Sequence, residues 1–188
     1  MLTIVIPCFE KPELVAQSIE LNKTFFSKYP LVIINKSGGE AFRQFSPLFF
    51  SQNTYFWFAR LFGLQFVKTK YVLCLDVDTV LPKDYIEQAI QILESKPSVG
   101  AVAIIYAKPH SQDHLAFGTS IWRTEELKSL YDWRMTFITP PAPVFPPRPQ
   151  PTLQVDSCEC KYMWKKLEII GKKVETLPME AIHLKSNS

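Results

Sequence analysis

Tyr71-Val72-Leu73-Cys74-Leu75-Asp76-Val77-Asp78-Thr79-Val80-Leu81-Pro82 is the stretch whose reading decides the fold. An apolar run of β-favouring character ends in two aspartates one residue apart. Carboxylates at the carboxyl edge of a buried strand are costly unless something cationic neutralises them. A divalent ion carrying a phosphorylated ligand is the simplest cation for that place. Open α/β sheets also bind their ligands outside the carboxyl ends of their strands. The competing reading makes Asp76 and Asp78 caps of a helix opening near Pro82, since Asp suits N-caps and Pro the first helical turn. It accounts for one aspartate, but not for Asp76 joining directly onto Leu73-Cys74-Leu75.

Upstream of this stretch, Thr3 to Ile6 reads as a first strand, and Leu14, Val15 and Ile19 give the next segment an apolar helical face. Leu31-Val32-Ile33-Ile34 is a β-branched run stopped by Asn35-Lys36-Ser37-Gly38-Gly39. A β-α-β unit within about 35 residues predicts a parallel pair and a right-handed crossover. A further helix is expected over Thr54 to Val67.

Downstream, Tyr85, Ile86, Ala89, Ile90 and Leu93 make an amphipathic helix that Lys96-Pro97 stops. Val99 to Tyr106 reads as a buried strand, Ala116 to Trp122 as another, and Thr124 as the cap of a helix running through Leu127. A last helix is expected from about Asp156 to Ile170, then Gly171, a strand from Lys172 to Thr176, and a tail holding His183. Alternating strands and helices predict an α/β layered fold. Thr139 to Pro151 carries Pro140, Pro141, Pro143, Pro146, Pro147, Pro149 and Pro151, which fit neither a helix interior nor a central strand. That segment reads as an extended, polyproline-like loop.

Composition sets the outer bounds. The chain's 188 residues suffice for one well-cored domain, and 47% are hydrophobic. A net charge of only +3, with Lys and Arg scattered, leaves no footprint for nucleic acid. No apolar run approaches the roughly 20 residues that span a bilayer. Met1 to Pro7 reads as a strand, not a signal peptide. Cys8 and Cys74 lie in apolar strand segments, and Cys158-x-Cys160 lacks the spacing of common zinc sites. A reduced, cytoplasmic protein is the expectation. The aromatic stretch of Tyr55, Phe56, Trp57, Phe58, Phe62 and Phe66 reads first as core, with a peripheral membrane-facing or acceptor-facing edge as the alternative.

In order along the chain, these motifs resemble the GT-A glycosyltransferases, specifically the large inverting family 2. Thr3-Ile4-Val5-Ile6-Pro7-Cys8-Phe9 resembles its opening strand and Pro-x-aromatic turn. Ile33 to Gly38 resembles the second strand with its Asp-x-Ser turn, and Ala59-Arg60-Leu61-Phe62-Gly63 its Ala-Arg-Asn-x-Gly helix. Tyr71 to Pro82 resembles the D-x-D strand, and Phe117-Gly118-Thr119-Ser120 to Leu127 the acceptor-side strand and helix. The last helix, Gly171-Lys172-Lys173-Val174 and His183 resemble the closing pattern. Three positions depart from it: Asn35 replaces an acidic residue, Leu61 replaces Asn, and the Glu-Asp pair of the final helix is not cleanly present, with Asp156 and Glu159 both near and spacing to Gly171 favouring Glu159 as its first member, which would make Cys160 the second.

The resemblance implies a single α/β domain of GT-A type, a mostly parallel sheet with helices on both faces. A nucleotide-sugar half would cover about residues 1–98 and an acceptor half about 99–188, with the Pro-rich loop at 139–151. The donor would be a UDP- or GDP-sugar, met by Pro7, Phe9, Glu10, Asn35, Arg60, Asp76, Val77 and Gly118. Asp76, Asp78 and His183 would hold Mn2+ or Mg2+. Asp156 is the first choice for the base that takes the acceptor's proton, and Glu159 the second. The acceptor is a glycan, a protein or a lipid carrier, and the oligomeric state is open. Two alternatives stand beside this reading. Asp76-Val77-Asp78-Thr79-Val80 also resembles the haloacid-dehalogenase-like phosphatase signature, although Val99 to Tyr106 lacks that family's terminal Ser or Thr. The other is a transferase-like binding module without activity.

Overall fold

The computed structural model of the chain describes residues 1–8, 12–35, 48–49, 56–107, 115–131, 135–137, 153–155 and 158–184. Phe9, Glu10, the turn after Asn35, Asp156, the Pro-rich loop and the side chains of Tyr55 to Phe58 lie outside the described residues.

β1 (Leu2–Cys8) is buried along its whole length. Such a continuously buried run, Thr3 and Pro7 included, belongs in the middle of a sheet covered on both faces. It pairs in parallel with β2 (Leu31–Asn35) on one side and β4 (Tyr71–Leu75) on the other. The β-α-β unit expected from Thr3 to Ile34 is therefore present. β3 (Leu48–Phe49) extends the edge beyond β2. On the other side, β7 (Thr119–Arg123) runs antiparallel between β4 and β6 (Val99–Tyr106). β10 (Lys173–His183) lies parallel to β6 and, at its far end, antiparallel to β5 (Thr79–Val80). The eight strands follow the order β3-β2-β1-β4-β7-β6-β10-β5. A separate parallel pair joins β8 (Met135–Phe137) to β9 (Leu153–Val155).

Alternation along each central strand sends side chains to two cores. Leu2, Ile4, Ile6, Tyr71, Leu73 and Leu75 pack with Val15 of α1 (Pro12–Leu21), Phe26 of α2 (Lys23–Lys28) and Ile86, Ala89 and Leu93 of α4 (Tyr85–Ser95). Val5, Val72 and Cys74 pack on the opposite face with Leu64 of α3 (Phe56–Leu64), Leu127 of α5 (Thr124–Leu130) and Met163 and Leu167 of α6 (Glu159–Ile169). Helices thus cover both faces, and the fold is the α/β class that the alternation predicts.

Four local readings change. The helix after Pro82 begins at Tyr85 with Asp84 as its N-cap, so Asp76 and Asp78 cap nothing there. Arg123 takes the cap position of α5, and Thr124 is the first helical residue. The strand expected at Ala116 starts only at Thr119. The final strand runs on to His183 instead of stopping at Thr176. Its register on β6 shifts between Thr176 and Glu180, around Pro178, which has no N–H to give the ladder.

Candidate active site

The carboxyl ends of β1, β2, β4, β6 and β10 share one edge of the sheet, joined by the start of antiparallel β7. Asp76 is the first residue after β4. The chain turns at once: the Thr79 N–H donates to the Asp76 carbonyl at 3.1 Å. Asn22, fully buried at the end of α1, fixes this turn from below. Its amide donates to the Thr79 carbonyl at 2.8 Å, and its oxygen accepts from the Leu81 N–H at 3.1 Å. Nothing in the neighbouring residues marks Asn22 for that role, because its partners Thr79 and Leu81 lie far along the chain.

Asp76 is held from its protein side and stays partly exposed. Its Oδ1 lies 2.6 Å from Arg60 Nη2, and Oδ2 accepts from the Tyr106 hydroxyl at 3.4 Å. Its N–H donates to the Gly118 carbonyl at 3.1 Å. Tyr106 also shares a hydrogen bond with Thr79 Oγ1 at 2.9 Å. Burial, reinforced by the charge of Asp76, raises the Tyr106 phenol well above its ordinary range, so it stays a donor.

Arg60 comes from α3 and is 0% exposed. The guanidinium bridges Asp76 and Glu159, with Nη1 on Glu159 Oε2, and it lies over the Phe117 ring at 4.8 Å. The Tyr131 hydroxyl donates to Glu159 Oε1. Burial alone would lower the Arg60 pKa; Glu159 and Asp76 more than offset it and hold the cation charged. Burial pushes the Glu159 carboxyl upward, against the pull of Arg60 and Tyr131. The phenol of Tyr131 is also raised well above its ordinary range by burial, then by Glu159. Cys160 follows Glu159; its Sγ accepts from the Phe117 N–H at 3.4 Å, and burial pushes its thiol up to about 12.

Asp78 faces the end of β10. His183 Nε2 stands 3.2 Å from Asp78 Oδ2, and the Leu184 N–H donates to the Asp78 carbonyl at 2.7 Å. The antiparallel pairing of Thr79 with His183 brings the two together. Tyr106 packs edge-on against the His183 ring at 5.1 Å. His183, read from the sequence as a tail residue, is thus built into the sheet.

Of the residues expected to meet a donor, Asp76 and Gly118 adjoin each other and Arg60 stands behind them. Pro7 and Val77 are buried, Val77 within the core. Asn35 closes β2 at the same edge, paired with Cys8 and Phe49. Tyr106, Tyr131 and Asn22 join the site unannounced. Their only sequence signal is the position of Tyr106 at the end of a buried strand.

A divalent ion suits this donor set. Arg60 supplies one positive charge against the carboxylates of Asp76, Glu159 and Asp78, so an ionised cluster keeps a negative surplus. Among the described residues, no three His, Cys, Asp or Glu side chains converge as a closed metal cage. Asp78 and His183 set a carboxylate oxygen and an imidazole nitrogen side by side, a pair that could hold a divalent ion whose other positions phosphate oxygens and water would fill.

The family model described as glycosyl transferase family 2 matches residues 3–146. Among curated proteins, no match is found. Among solved structures, the mannosyltransferase PcManGT from Pyrobaculum calidifontis, in complex with GDP-Man and Mn2+, superposes with TM-score 0.68 at 13% identity, over 100% of this chain and 57% of that one. TarS 1-349 from S. aureus, in complex with UDP-GlcNAc, gives TM-score 0.64 at 13% identity, over 100% of this chain and 59% of that one. Glucosyl-3-phosphoglycerate synthase from Mycobacterium tuberculosis, in complex with Mn2+ and UDP-Glc, gives TM-score 0.63 at 11% identity, over 99% of this chain and 72% of that one. The chain therefore spans less than two thirds of the first two. No helix among the described residues is long and apolar enough to cross a membrane.

Proposed function

The chain belongs to glycosyl transferase family 2, and from that premise we propose that it moves a sugar from a nucleoside-diphosphate sugar to an acceptor hydroxyl, with a divalent ion and with inversion at the sugar carbon. The observation that carries the reading is the pairing of Asp78 with His183, 3.2 Å apart at the carboxyl edge of the sheet and next to Asp76.

Asp78 and His183 would hold Mn2+ or Mg2+, which when bound supplies Lewis-acid stabilisation to the departing diphosphate. Asp76 is already half-committed to Arg60; its other lone pairs accept hydroxyls of the donor. Arg60, buried behind Asp76, acts on that carboxylate instead of forking onto the diphosphate. Asn35, at the end of β2, hydrogen-bonds the base of the nucleotide. Gly118 leaves the room in which the Asp76 carboxylate sits. Asp156 takes the proton from the acceptor hydroxyl as that oxygen attacks the sugar carbon. Cys160 does not stand in as a base, because its thiol is not ionised near neutral pH.

The acceptor is a glycan, a protein or a lipid carrier. The halves at about 1–98 and 99–188 divide donor from acceptor, and the loop at 139–151 borders the acceptor. The phosphatase reading loses its footing, since family and fold both match transferases. A thermal-shift screen of nucleoside diphosphates and nucleotide sugars, with and without Mn2+, tests the proposal. Stabilisation by UDP or GDP compounds that depends on Mn2+ is expected. No stabilisation by any of them, or stabilisation indifferent to the ion, overturns it. Donor hydrolysis measured alongside separates an active transferase from a binding module.

A further inference from the structure

The first turns of α6 hold four bonds that the transfer reaction does not use directly. Both Glu159 oxygens are engaged, Oε2 by Arg60 and Oε1 by the Tyr131 hydroxyl, and the residue is 7% exposed. A base must reach an acceptor hydroxyl, and a carboxylate walled in this way does not. One residue on, Cys160 Sγ accepts the Phe117 N–H at 3.4 Å. One turn further, Trp164 Nε1 donates to the Leu115 carbonyl at 2.8 Å. The indole of Trp164 is stacked on Trp122, ring centroids 5.0 Å apart and 2° from parallel. These bonds fix the segment from Leu115 to Gly118, whose last carbonyl takes the Asp76 N–H.

We propose that Glu159 is a positioning residue for Asp76: with Arg60 between them, α6 sets the donor-binding carboxylate, and the first turn of α6 serves the donor and not the acceptor's proton. The inference rests on the donor role of Asp76 given above. A guanidinium shared by two carboxylates sits where the two pulls balance. Removing the charge at Glu159 releases one end of this bridge, and the change in Arg60 alters how the Asp76 carboxylate is presented.

The test is a double-mutant cycle read by calorimetric binding of UDP-glucose and of GDP-mannose, each with Mn2+. Glu159→Gln is expected to weaken whichever donor the wild type binds by roughly tenfold. In an Asp76→Asn background the same substitution should cost less than about twofold, because its route to the donor is gone. Equal losses in both backgrounds indicate a merely structural role and overturn the proposal. Unchanged donor binding with transfer abolished indicates a base and also overturns it. A second readout needs no nucleotide: the side-chain carboxyl carbon resonance of Asp76, followed by NMR in the protein alone. It should move in Glu159→Gln; an unmoved resonance overturns the proposal. Should Glu159→Gln not fold, Tyr131→Phe, which removes one hydrogen bond and no charge, carries the same two measurements with smaller shifts in the same direction. If neither donor binds the wild type while the Asp76 resonance moves, the relay stands and the transferase reading falls.

Discussion

A Cβ built on Gly118 would lie 1.9 Å from Asp76 Oδ2, well inside van der Waals contact. The same glycine receives the Asp76 N–H, so neither backbone can retreat without breaking that bond. Gly118→Ala should therefore turn the Asp76 carboxylate out of its place between Arg60 and Tyr106. The expected cost is about 1–3 kcal/mol of stability, the scale of overpacking, and a loss of donor affinity larger than that of any surface substitution. Urea denaturation and donor titration check both. A variant with wild-type stability and affinity would show that the site tolerates a methyl there.

Asp78 and His183 are the proposed metal ligands. Asp78→Asn should abolish Mn2+-dependent binding of a nucleoside diphosphate and leave the fold intact, because thinning clustered negative charge does not penalise folding. His183→Ala should weaken the same binding, and it also removes the ring edge packed on Tyr106. Thermal shift with and without Mn2+ reads both variants. Retained ion-dependent binding in Asp78→Asn would place the metal elsewhere.

Removing the buried cation should be the most damaging single change at the site. Arg60→Met leaves Asp76 and Glu159 facing each other across an apolar side chain, and breaking a buried pair costs roughly 3–5 kcal/mol. That cost has a pH sign. Burial already raises Glu159 above its ordinary carboxylate range, and loss of the cation raises it further. A carboxyl whose folded pKa lies above its unfolded value contributes stability that is full below the unfolded pKa and is lost as pH rises through the folded one. Arg60→Met should therefore recover part of its deficit on acidification toward pH of about 4, relative to wild type. Denaturation midpoints across pH 4 to 8 test this; a deficit constant in pH would contradict it.

Much of this architecture was legible from the residues. β1, β2, β4 and β6 announced themselves as β-branched or apolar runs, and Asp76 broke such a run at the edge where ligands bind. What stayed hidden depends on long-range pairing. His183 gains its place only because β10 passes Pro178 and meets Thr79. Arg60 is the one charged residue of an otherwise apolar α3, and its two carboxylate partners lie 16 and 99 residues further along the chain. Asn22 and Tyr131 act through contacts with residues remote in the chain.

Cys160, at the position where the family pattern expects an acid, invites a chemical test. Its thiol is pushed up to about 12 by burial and then by Glu159. At pH 8 the folded protein should hold essentially no Cys160 thiolate, and the thiolate is the reactive species. Iodoacetamide should leave Cys160 unmodified in the native protein and label it fully in urea. Peptide mass spectrometry distinguishes the two states. Fast native labelling of Cys160 would mean an open, ionisable thiol and would reopen it as a proton acceptor.

In the proposed mechanism, Asp156 meets the remaining chemical demand. An inverting transfer needs a group to accept the acceptor hydroxyl proton on the face opposite the departing diphosphate. Glu159 has both oxygens occupied, and Cys160 stays protonated. In the sequence Asp156 stands three positions before α6 and just after the Pro-rich segment, and the proposed function assigns it the acceptor's proton. Asp156→Asn should lower the transfer rate by roughly a hundredfold or more, with donor affinity nearly unchanged. Glu159→Gln should show the opposite split, with weakened donor binding and a smaller fall in rate at saturating donor. Steady-state kinetics with the donor and acceptor varied separately resolves the two. Full rate in Asp156→Asn with a dead Glu159→Gln would exchange the assignments. Full rate in both would remove the carboxylate base from the mechanism.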